Sequence, residues 1–285
     1  MKISYDTISI EEVCKLFGKS RQAWYDVYQR STNMQLQENL LLHWVEEIRS
    51  VLRRSGGVKL YTMIKTNMQL HHIQLGRDGF FNFLRKYDLL IEPKKKYIRT
   101  TQSWHHFKKW SNLIENKTAS MAEQIWVSDI TYLRTEGGFI YLFLITDAYS
   151  RKIVGYHLSQ QLKAKGCISA LSKAIKSRQY PDRPLIHHSD RGIQYCCDEY
   201  IQLLLQHHIA ISMTQSGNPY DNAIAERING ILKQEFNLDA VFKSYTSAIE
   251  PVARAIHLYN DVRLHFSCDL QTPAIQHSTP NPLKN

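Results

Sequence analysis

The order of strand-like and helix-like segments in the second half of the chain limits its fold more than any other sequence feature. Three strand-like segments come first, and the Gly137-Gly138 pair between the first two is typical of a hairpin turn. Helices and strands then alternate, so the order is β-β-β-α-β-α-β-α. This order predicts an α/β domain whose first and fourth strands are neighbours in one sheet. The segments span residues 125–134, 139–146, 151–158, 164–177, 185–188, 198–207 and 209–213, followed by a helix after residue 221.

Two aspartates fall on the strands that this order predicts to be neighbours. Asp129 lies in the middle of the first strand, where a buried carboxylate without a partner would be costly. Asp190 follows the fourth strand, at the carboxyl edge of the sheet, where α/β proteins place their ligands. We therefore expect the two carboxylates to face each other.

A third acid follows on the helix after the last strand. Residues 217–219 (Gly-Asn-Pro) disfavour regular structure, and Asp221 suits the N-cap of the helix that begins there. Glu226 and Lys233 are two helical turns apart, so the acid and the base project the same way. An exposed Glu with a Lys seven residues later is common, and alone it would favour a solvated surface. The polar stripe of this helix contains Asn222, Glu226, Asn229 and Lys233.

Three converging carboxylates predict a metal site. They repel one another, and some would bind protons if no cation were present. Mg²⁺ prefers oxygen ligands and keeps positions open for phosphate and water. Two such ions roughly 4 Å apart can bind both the entering and the leaving oxygen of a phosphoryl transfer. We expect Asp129, Asp190 and Glu226 to bind two Mg²⁺ ions, which Mn²⁺ could replace, and to cut and join phosphodiesters.

The charge of the chain favours a nucleic-acid partner. The net charge is +10, and residues 1–100 carry 17 Lys and Arg against 10 Asp and Glu. Positive charge attracts phosphate through a term that is independent of sequence and sensitive to salt. No apolar run is long enough to span a membrane, and the five cysteines are odd in number without a CxxC motif. We therefore expect a cytoplasmic protein that does not interact with membranes.

The first third of the chain has the outline of a helix-turn-helix. Residues 9–12 (Ser-Ile-Glu-Glu) form a capping box, residues 18–19 make a turn, and Ser20 caps a second, short helix. Arg21 and Gln22 would then lie at the exposed start of that helix, where contacts to DNA are made. An ordinary helical hairpin with solvated charges fits the same spacing. Further helices are predicted at residues 36–54, 60–70 and 78–87. Near the C-terminus, residues 247–250 (Ser-Ala-Ile-Glu) predict a capped helix that ends near His265.

A basic stretch separates these helices from the first strand. Pro93 is followed by Lys94, Lys95 and Lys96, and no hydrophobic period persists as far as residue 122. This stretch fits a basic linker that lies along DNA. A hinge whose aromatic residues dock on a domain fits it equally well.

Four motifs of the second half resemble the integrase core of bacterial insertion-sequence transposases of the OrfB type. These enzymes belong to the DDE superfamily, which includes retroviral integrases and is built on a ribonuclease H-like fold. Thirty-five residues separate Asp190 from Glu226, which is the spacing of the family. The Tyr-Asn-Asp-Val-Arg-Leu-His run at residues 259–265 also resembles the C-terminal signature of the family. The four motifs span residues 126–132, 147–155, 188–195 and 217–226.

The resemblance implies a domain organisation. The catalytic core is α/β, with a mixed five-stranded sheet and flanking helices, and an all-α helix-turn-helix region precedes it. The C-terminal helix and tail are expected to pack on the core. The expected boundaries are 1–93 for the helical DNA-binding region, 94–122 for the linker, 123–240 for the core and 241–285 for the C-terminal part.

The same resemblance implies roles for individual residues. Asp129, Asp190 and Glu226 would bind the catalytic metal ions, and Lys233 would contact DNA near the scissile phosphate. The loop at residues 217–220 would move over the substrate. Asp147 precedes a Ser-Arg pair and is expected to serve a turn or a hydrogen bond. The expected DNA contacts are Lys233, Arg227, Tyr220, Asn218, Arg21, Gln22, Lys94, Lys95 and Lys96.

The implied partners follow from the reaction. They are double-stranded DNA, as transposon ends and as target, and further copies of the chain on that DNA. The resemblance also implies a bacterial protein that associates with the nucleoid through DNA. Such enzymes often gain an upstream helix-turn-helix and coiled-coil segment by translational frameshifting. We therefore expect a partner or a fusion that supplies this segment.

Three other functions remain open from the sequence. His188 and Arg191 fit the HxxR pattern of tyrosine recombinases, with Tyr220 as a nucleophile that needs no metal. That alternative leaves Asp129 and Glu226 without a role. A DNA-binding regulator with an inactive integrase fold is the second alternative. A ribonuclease H-type nuclease without joining activity is the third.

Overall fold

The computed structural model describes residues 9–92, 110–115, 117–215 and 222–279. These residues form two compact units. The first takes in the described residues up to 51 together with 55–90, and the second takes in 52–54 and the described residues from 91 onwards. No helix within the described ranges is both long enough and apolar enough to cross a membrane.

The first unit is entirely helical. The Ser9 hydroxyl accepts a hydrogen bond from the Glu12 backbone, and the Ser9 backbone donates to the Glu12 carboxylate, so the expected capping box is present. The interior is built from the last half of the second helix and the two helices that follow. Its fully buried side chains include Val45, Leu60 and Leu84. The helices are α1 (Ile10–Leu16), α2 (Arg21–Val51), α3 (Gly57–Leu70) and α4 (Arg77–Lys86).

The second helix differs from the sequence prediction. A short helix followed by a separate helix from residue 36 was expected, but α2 runs unbroken for 31 residues. Ser20 does cap it, since its hydroxyl accepts from the Ala23 backbone at 3.1 Å. The polar run in the middle contains no Gly or Pro, so nothing in it breaks the backbone pattern. The prediction of two helices was therefore wrong, because the polar run continues the helix and does not end it.

The second unit contains one mixed sheet of six strands. Its order is β3-β2-β1-β4-β5, with β6 paired to the far end of β1. The first three strands are antiparallel, whereas β4 is parallel to both β1 and β5. The predicted neighbours, the first and fourth strands, are confirmed, and the two-residue β6 was not predicted. The strands are β1 (Ile125–Thr135), β2 (Gly138–Asp147), β3 (Ile153–Ser159), β4 (Ile186–Ser189), β5 (Ala210–Met213) and β6 (Val241–Phe242).

Helices cover both faces of this sheet. On one face Phe143 and Ile145 of β2 pack in a cluster with residues of the fifth and sixth helices. On the other face Leu142 and Leu144 of the same strand pack with residues of the seventh and eighth. This explains why the β2 sequence is almost continuously apolar. The helices are α5 (Ala164–Lys176), α6 (Asp198–Gln206), α7 (Ala223–Glu235), α8 (Tyr245–Asp261) and α9 (Pro273–Ser278).

Two glycines allow α5 to lie close to the sheet. A Cβ at Gly155 of β3 would come within 2.3 Å of the Ala170 carbonyl oxygen of α5. A Cβ at Gly166 of α5 would come within 2.4 Å of the Phe143 ring. Both positions therefore exclude any larger residue unless the helix shifts.

Two of the predicted helix caps were wrong. The N-cap of α7 is Asn222, whose side chain makes no capping hydrogen bond, and Asp221 lies outside the described residues. The N-cap of α8 is Ser244, in a reciprocal pair with Ser247, so the helix begins before the Ser247–Glu250 box that the sequence suggested. It also ends at Asp261 and not near His265. Several polar residues near each helix start could cap it, and local sequence does not choose among them.

Part of the stretch read as a linker packs on the sheet unit. Trp110 contacts the cluster on the α5 and α6 side. The Ser111 carbonyl oxygen accepts from the Met213 backbone, and the Leu113 backbone donates to the Ser212 hydroxyl at 2.9 Å. The sheet unit therefore begins upstream of the expected boundary at residue 123. This part fits the alternative of a docked aromatic segment, and residues 94–109 lie outside the described ranges.

Candidate active site

The first two acids lie on adjacent parallel strands. In the register between β1 and β4, Val127 is opposite His188. Extended by two residues along both strands, the same register would place Asp129 beside Asp190, which directly follows β4. Asp129 is buried, with 3% of its surface exposed, and Asp190 is half-buried. The pairing of β1 with β4 therefore brings the two aspartates to the end of β4.

The carboxylate of Asp129 is held by two hydrogen bonds. Its Oδ1 accepts from the Ile130 backbone at 2.9 Å, and its Oδ2 accepts from the Asn229 side-chain amide at 2.6 Å. The side chain is thus fixed in orientation, with one oxygen held by its own strand and the other by α7.

The turn after β4 fixes Asp190. Its Oδ1 accepts from the Gly192 backbone at 3.0 Å. A Cβ at Gly192 would come within 2.9 Å of the same oxygen and 3.3 Å of the Gln194 side-chain oxygen. A larger residue at the last position of the Ser-Asp-Arg-Gly sequence would therefore press on the Asp190 carboxylate where it bends back onto the backbone.

Two asparagines attach α7 to β1 on either side of Glu226. The Asn222 amide donates to the Ser128 carbonyl oxygen at 3.0 Å, and the Asn229 amide donates to Asp129. Asn222, Glu226 and Asn229 follow the i, i+4, i+7 spacing of one helix face. Because both asparagines contact β1 at neighbouring residues, this face of α7 lies against the strand at Asp129. The Glu226 side chain on that face is exposed.

The C-terminal motif holds the other end of α7. Arg263 forms a bidentate pair with the Glu235 carboxylate, at 2.7 and 2.6 Å. The Asn260 side chain of α8 bonds both backbone groups of Ile153 in β3, and the Tyr259 hydroxyl donates to the Arg151 carbonyl oxygen. These contacts give the residue 259–265 signature a structural role in positioning α7 and α8.

The structure brings the three acid-bearing elements together without assembling a complete ligand set. Within the described ranges, no group of three or more His, Cys, Asp or Glu side chains is arranged to hold a metal ion. The chemistry of the donors nevertheless suits Mg²⁺, since all three are carboxylates. In addition, the Asn229 amide oxygen is buried beside Asp129, and no donor among the described residues reaches it. An orphaned oxygen at this place fits a hydrated cation.

A neutral histidine contacts Ser128, the residue before Asp129. The His187 Nε2 is 2.6 Å from the Ser128 hydroxyl and 2.8 Å from the Tyr200 hydroxyl. Burial, reinforced by neighbouring His188, lowers the pKa of His187 to about 3, so the ring is uncharged at neutral pH. Ser128, which the sequence left without a role, therefore ties β1 to β4 and α6.

Asp147 makes the turn contacts that the sequence predicted. Its Oδ2 accepts from the Glu123 backbone at 2.7 Å. Its Oδ1 accepts from the Tyr149 backbone, the Ser150 backbone and the Ser150 hydroxyl, at 3.1, 2.8 and 2.8 Å. This buried carboxylate therefore accepts four hydrogen bonds from the protein, and its turn role is confirmed.

Glu123 belongs to the same buried cluster. Its carboxylate accepts from Arg178 at 3.1 Å and from the Gln179 and Tyr180 backbones, and His277 of α9 lies 3.6 Å away. Burial alone would raise the pKa of Glu123, but His277, Gln179 and Arg178 outweigh it and hold the pKa at about 2. Burial would lower the pKa of His277, but Asp147 and Glu123 outweigh it and raise the pKa above 6.5. The cluster connects α9 to the start of β1.

The residues expected to contact DNA are distributed over both units. Arg227 is exposed and Lys233 is half-buried, both on α7. Arg21 and Gln22 are exposed on α2, where the Gln22 amide donates to Asp26 at 2.9 Å and Arg21 lies over the Tyr25 ring. The others expected from the sequence lie outside the described residues: Asn218, Tyr220, Lys94, Lys95 and Lys96.

The tyrosine recombinase alternative conflicts with the position of His188. This residue is completely buried in β4, and its Nδ1 is 2.8 Å from the Ser212 hydroxyl. A histidine that stabilises a DNA phosphate must reach the surface, which this one does not. Tyr220, the nucleophile in that alternative, lies outside the described residues.

The sheet order and the position of the acids define an integrase core of the ribonuclease H-like fold. In agreement, residues 119–219 and 207–273 match two families that are both described as Integrase core domain. Among solved structures, an intasome of simian T-cell lymphotropic virus, in complex with a PP2A regulatory subunit, is 19% identical with a TM-score of 0.49. The match covers 80% of this chain and 76% of the chain in that structure.

Bacterial relatives identify the family within that class. The Shigella sonnei "Insertion element IS600 uncharacterized 31 kDa protein" is 34% identical over 267 residues, which are 92% of this chain and 96% of the relative. The Escherichia coli K12 "Transposase InsF for insertion sequence IS3A" is 30% identical over 232 residues, 80% of this chain and 79% of the relative. The chain belongs to the bacterial insertion-sequence transposases of the DDE superfamily. It is a DDE-type transposase, a polynucleotidyl transferase.

Proposed function

We propose that this transposase cuts and joins DNA strands at the ends of an insertion sequence, in a reaction that depends on Mg²⁺. Asp129, Asp190 and Glu226 are the proposed metal ligands and catalytic residues. The observation that carries the proposal is the attachment of α7 to β1. Two asparagines around Glu226 bond β1 at Ser128 and Asp129, and β1 pairs with β4, which Asp190 directly follows.

The bound metal would stabilise the negative charge on the entering and leaving oxygens of the phosphodiester. Two Mg²⁺ ions fit this role, and Mn²⁺ is expected to replace them because it accepts the same oxygen ligands. The protein itself supplies the orientation. Asp129 is held by two hydrogen bonds, Asp190 is held by its turn, and Glu226 is carried on a helix fixed at both ends.

Basic residues beside this site are proposed to bind the DNA backbone. Arg227 follows Glu226 directly, and Lys233 lies two turns further along α7. Phosphate contacts of this kind position a duplex without reading its sequence. We propose the same role for Asn218 and Tyr220 in the chain before α7.

The helical unit is proposed to bind DNA as well. Arg21 and Gln22 are exposed near the start of α2, after the α1 turn, and Lys94–Lys96 follow the unit in the sequence. The proposed ligand is double-stranded DNA, with several copies of the chain on the paired ends and the target. An upstream segment, as a partner or a fusion, is proposed to add recognition of the ends.

The test uses the purified full chain and labelled DNA carrying the ends of the element that encodes it. Nicking and joining are scored with Mg²⁺, with Mn²⁺ and with EDTA. Asp129→Asn, Asp190→Asn and Glu226→Gln are expected to retain DNA binding and lose both reactions. Glu136→Gln, an exposed acid in the β1–β2 turn, is the matched control and should keep both.

Three outcomes would overturn all or part of the proposal. Wild-type protein that binds the ends but never nicks them would favour a DNA-binding regulator with an inactive core. Nicking that persists in EDTA, or a covalent protein–DNA link at Tyr220, would favour metal-independent recombination. Nicking that is never followed by joining would reduce the activity to that of a nuclease.

A further inference from the structure

One of the two polar ends of the Asn229 side chain has a hydrogen-bond partner among the described residues, and the other does not. It lies on α7 with 6% of its surface exposed, and its Nδ2 donates to the Asp129 Oδ2 at 2.6 Å. A carboxylate can only accept, so the nitrogen of the amide must be the end that faces it. The Oδ1 is consequently turned away, is buried, and meets no donor among the described residues.

A second asparagine shows what a fully satisfied contact of the same kind looks like. Asn260 on α8 has 8% of its surface exposed and also connects a helix to a strand. Its Nδ2 donates to the Ile153 carbonyl oxygen at 3.0 Å, and its Oδ1 accepts from the Ile153 backbone at 2.9 Å. Both amide ends are thus paired within the protein. Because a buried acceptor without a partner is costly, the difference at Asn229 needs an explanation.

The chemistry of the orphaned oxygen limits what can satisfy it. It is an acceptor, so its partner must carry a proton or a positive charge. A DNA phosphate offers only acceptor oxygens and cannot fill this role. Water bound to a cation is a strong donor, and Mg²⁺ in proteins usually keeps several of its waters.

We propose that Asn229 is a positioning residue of the metal centre. Its amide nitrogen fixes the Asp129 carboxylate, and its amide oxygen accepts a hydrogen bond from a water on the divalent cation that Asp129 binds. This inference rests on the proposed function. Residues that hydrogen-bond a metal ligand, or the waters on the metal, change metal affinity by about 10- to 100-fold when they are removed.

The experiment measures metal binding directly, with Mn²⁺ as the probe on the full chain without DNA. Free Mn²⁺ is followed by electron paramagnetic resonance, and thermal unfolding is recorded in Mn²⁺ and in EDTA. The variants are Asn229→Leu, which removes both polar ends, and Asn229→Asp, which removes only the donor. Asn260→Leu is the matched control for loss of a helix-to-strand contact.

Asn229→Leu is expected to bind Mn²⁺ about 10- to 100-fold more weakly than the wild type. Asn229→Asp places two carboxylates in contact, so it should melt lower than the wild type in EDTA and gain more from Mn²⁺. It keeps the side-chain shape, which preserves the test if Asn229→Leu does not fold. Asn260→Leu should lower the melting temperature and leave Mn²⁺ affinity unchanged.

The results that would overturn the inference are separate from those that would overturn the proposed function. If Asp129→Asn loses Mn²⁺ binding while Asn229→Leu binds as tightly as the wild type, Asn229 merely attaches the helix. Equal melting shifts with Mn²⁺ in Asn229→Asp and the wild type would also count against the inference. If the wild type and Asp129→Asn bind Mn²⁺ equally, or neither binds it, the metal site itself fails, and this inference fails with it.

Discussion

Two groups of buried acids lie along β1 and β2, and they are satisfied in different ways. At the Glu123–Asp147 cluster, protein donors occupy the carboxylate oxygens, and His277 and Arg178 balance their charge. At Asp129 the donors include a backbone N–H and the amide of Asn229, whose own oxygen meets no donor among the described residues. We call the first group a closed cluster, because its carboxylates are paired with cations and backbone donors of the protein. Burial of an acid does not distinguish the two groups, but an orphaned oxygen on its hydrogen-bond partner does.

The sharpest test of this contrast makes the same change, aspartate to asparagine, once in each group. Asp129→Asn should lower strand cleavage by more than about a thousandfold, because lost charge stabilisation of several kcal/mol acts directly on the rate. Its melting temperature should stay close to that of the wild type. Asp147→Asn should do the reverse, with a stability loss of about 3 kcal/mol and cleavage per folded molecule largely kept. Cleavage assays and urea unfolding on both variants measure the two effects.

The contrast would be contradicted if Asp129→Asn and Asp147→Asn had the same effects on cleavage and stability. A large stability loss in Asp129→Asn would mean that this acid also belongs to a closed structural set. A complete loss of cleavage in well-folded Asp147→Asn would mean that the second cluster takes part in the reaction.

A second prediction concerns the charge balance of the closed cluster. Glu123→Gln leaves Arg178 and His277 buried without their carboxylate, and we expect a loss of about 3–5 kcal/mol in the free energy of unfolding. Guanidinium unfolding followed by circular dichroism gives the value. A loss under about 1 kcal/mol would show that water replaces the carboxylate and that the cluster is less closed than its contacts indicate.

A third prediction concerns the turn at Asp190. Gly192→Ala should reduce cleavage by about tenfold, with a stability loss near 1 kcal/mol, because its Cβ would press on the Asp190 carboxylate. Gly230→Ala on α7 is the matched control, since nothing lies within 4 Å of a Cβ there. Alanine favours the helix at that position, so the control should be as active as the wild type and slightly more stable. Equal activity of both variants would show that the turn does not position Asp190 for cleavage.

The smallest predicted effect is a pH dependence in the closed cluster. The pKa of His277 is raised above 6.5, so the stability it contributes is complete below that pH and is lost as the pH rises through the raised value. Glu123, with a pKa of about 2, contributes above its usual 4.5 and loses this as the pH falls towards 2. The groups around the ring are Glu123, Asp147 and Lys152.

The difference in unfolding free energy between the wild type and His277→Gln should therefore be larger near pH 6 than near pH 9. Urea titrations at the two pH values measure it. A difference that is independent of pH would mean that His277 stays neutral in the cluster.

The sequence predicted those parts of the structure that follow from local pattern. Strand positions agree to within about two residues, and the pairing of the first and fourth strands followed from their order. Asp129 and Asp190 could therefore be assigned to neighbouring strands from the sequence alone. The unbroken α2 and the caps at Asn222 and Ser244 could not be predicted from it, because helix ends depend on which of several polar residues the tertiary contacts select.

The contacts that distinguish the two groups of acids could not be predicted from the sequence either. Asn229 is on the polar stripe that the sequence outlined, yet its contact with Asp129 joins residues 100 positions apart. The bond between Ser150 and His277 spans 127 positions. Periodicity shows which face a residue occupies, and only the packed structure shows what that face meets. A polar residue one turn after the motif acid, on the same stripe, was the available signal for Asn229.

The length of α2 has a consequence for how its unit opens. All 31 residues of this helix are described, and none before Leu41 is buried. Its first half is stabilised mainly by local bonds such as those of Gln22 to Asp26 and Gln35 to Asn39. Deuterium should therefore replace amide protons rapidly near Arg21 and progressively more slowly towards Val51. The N-terminal end of this continuous helix would then unfold locally while its C-terminal end stays folded.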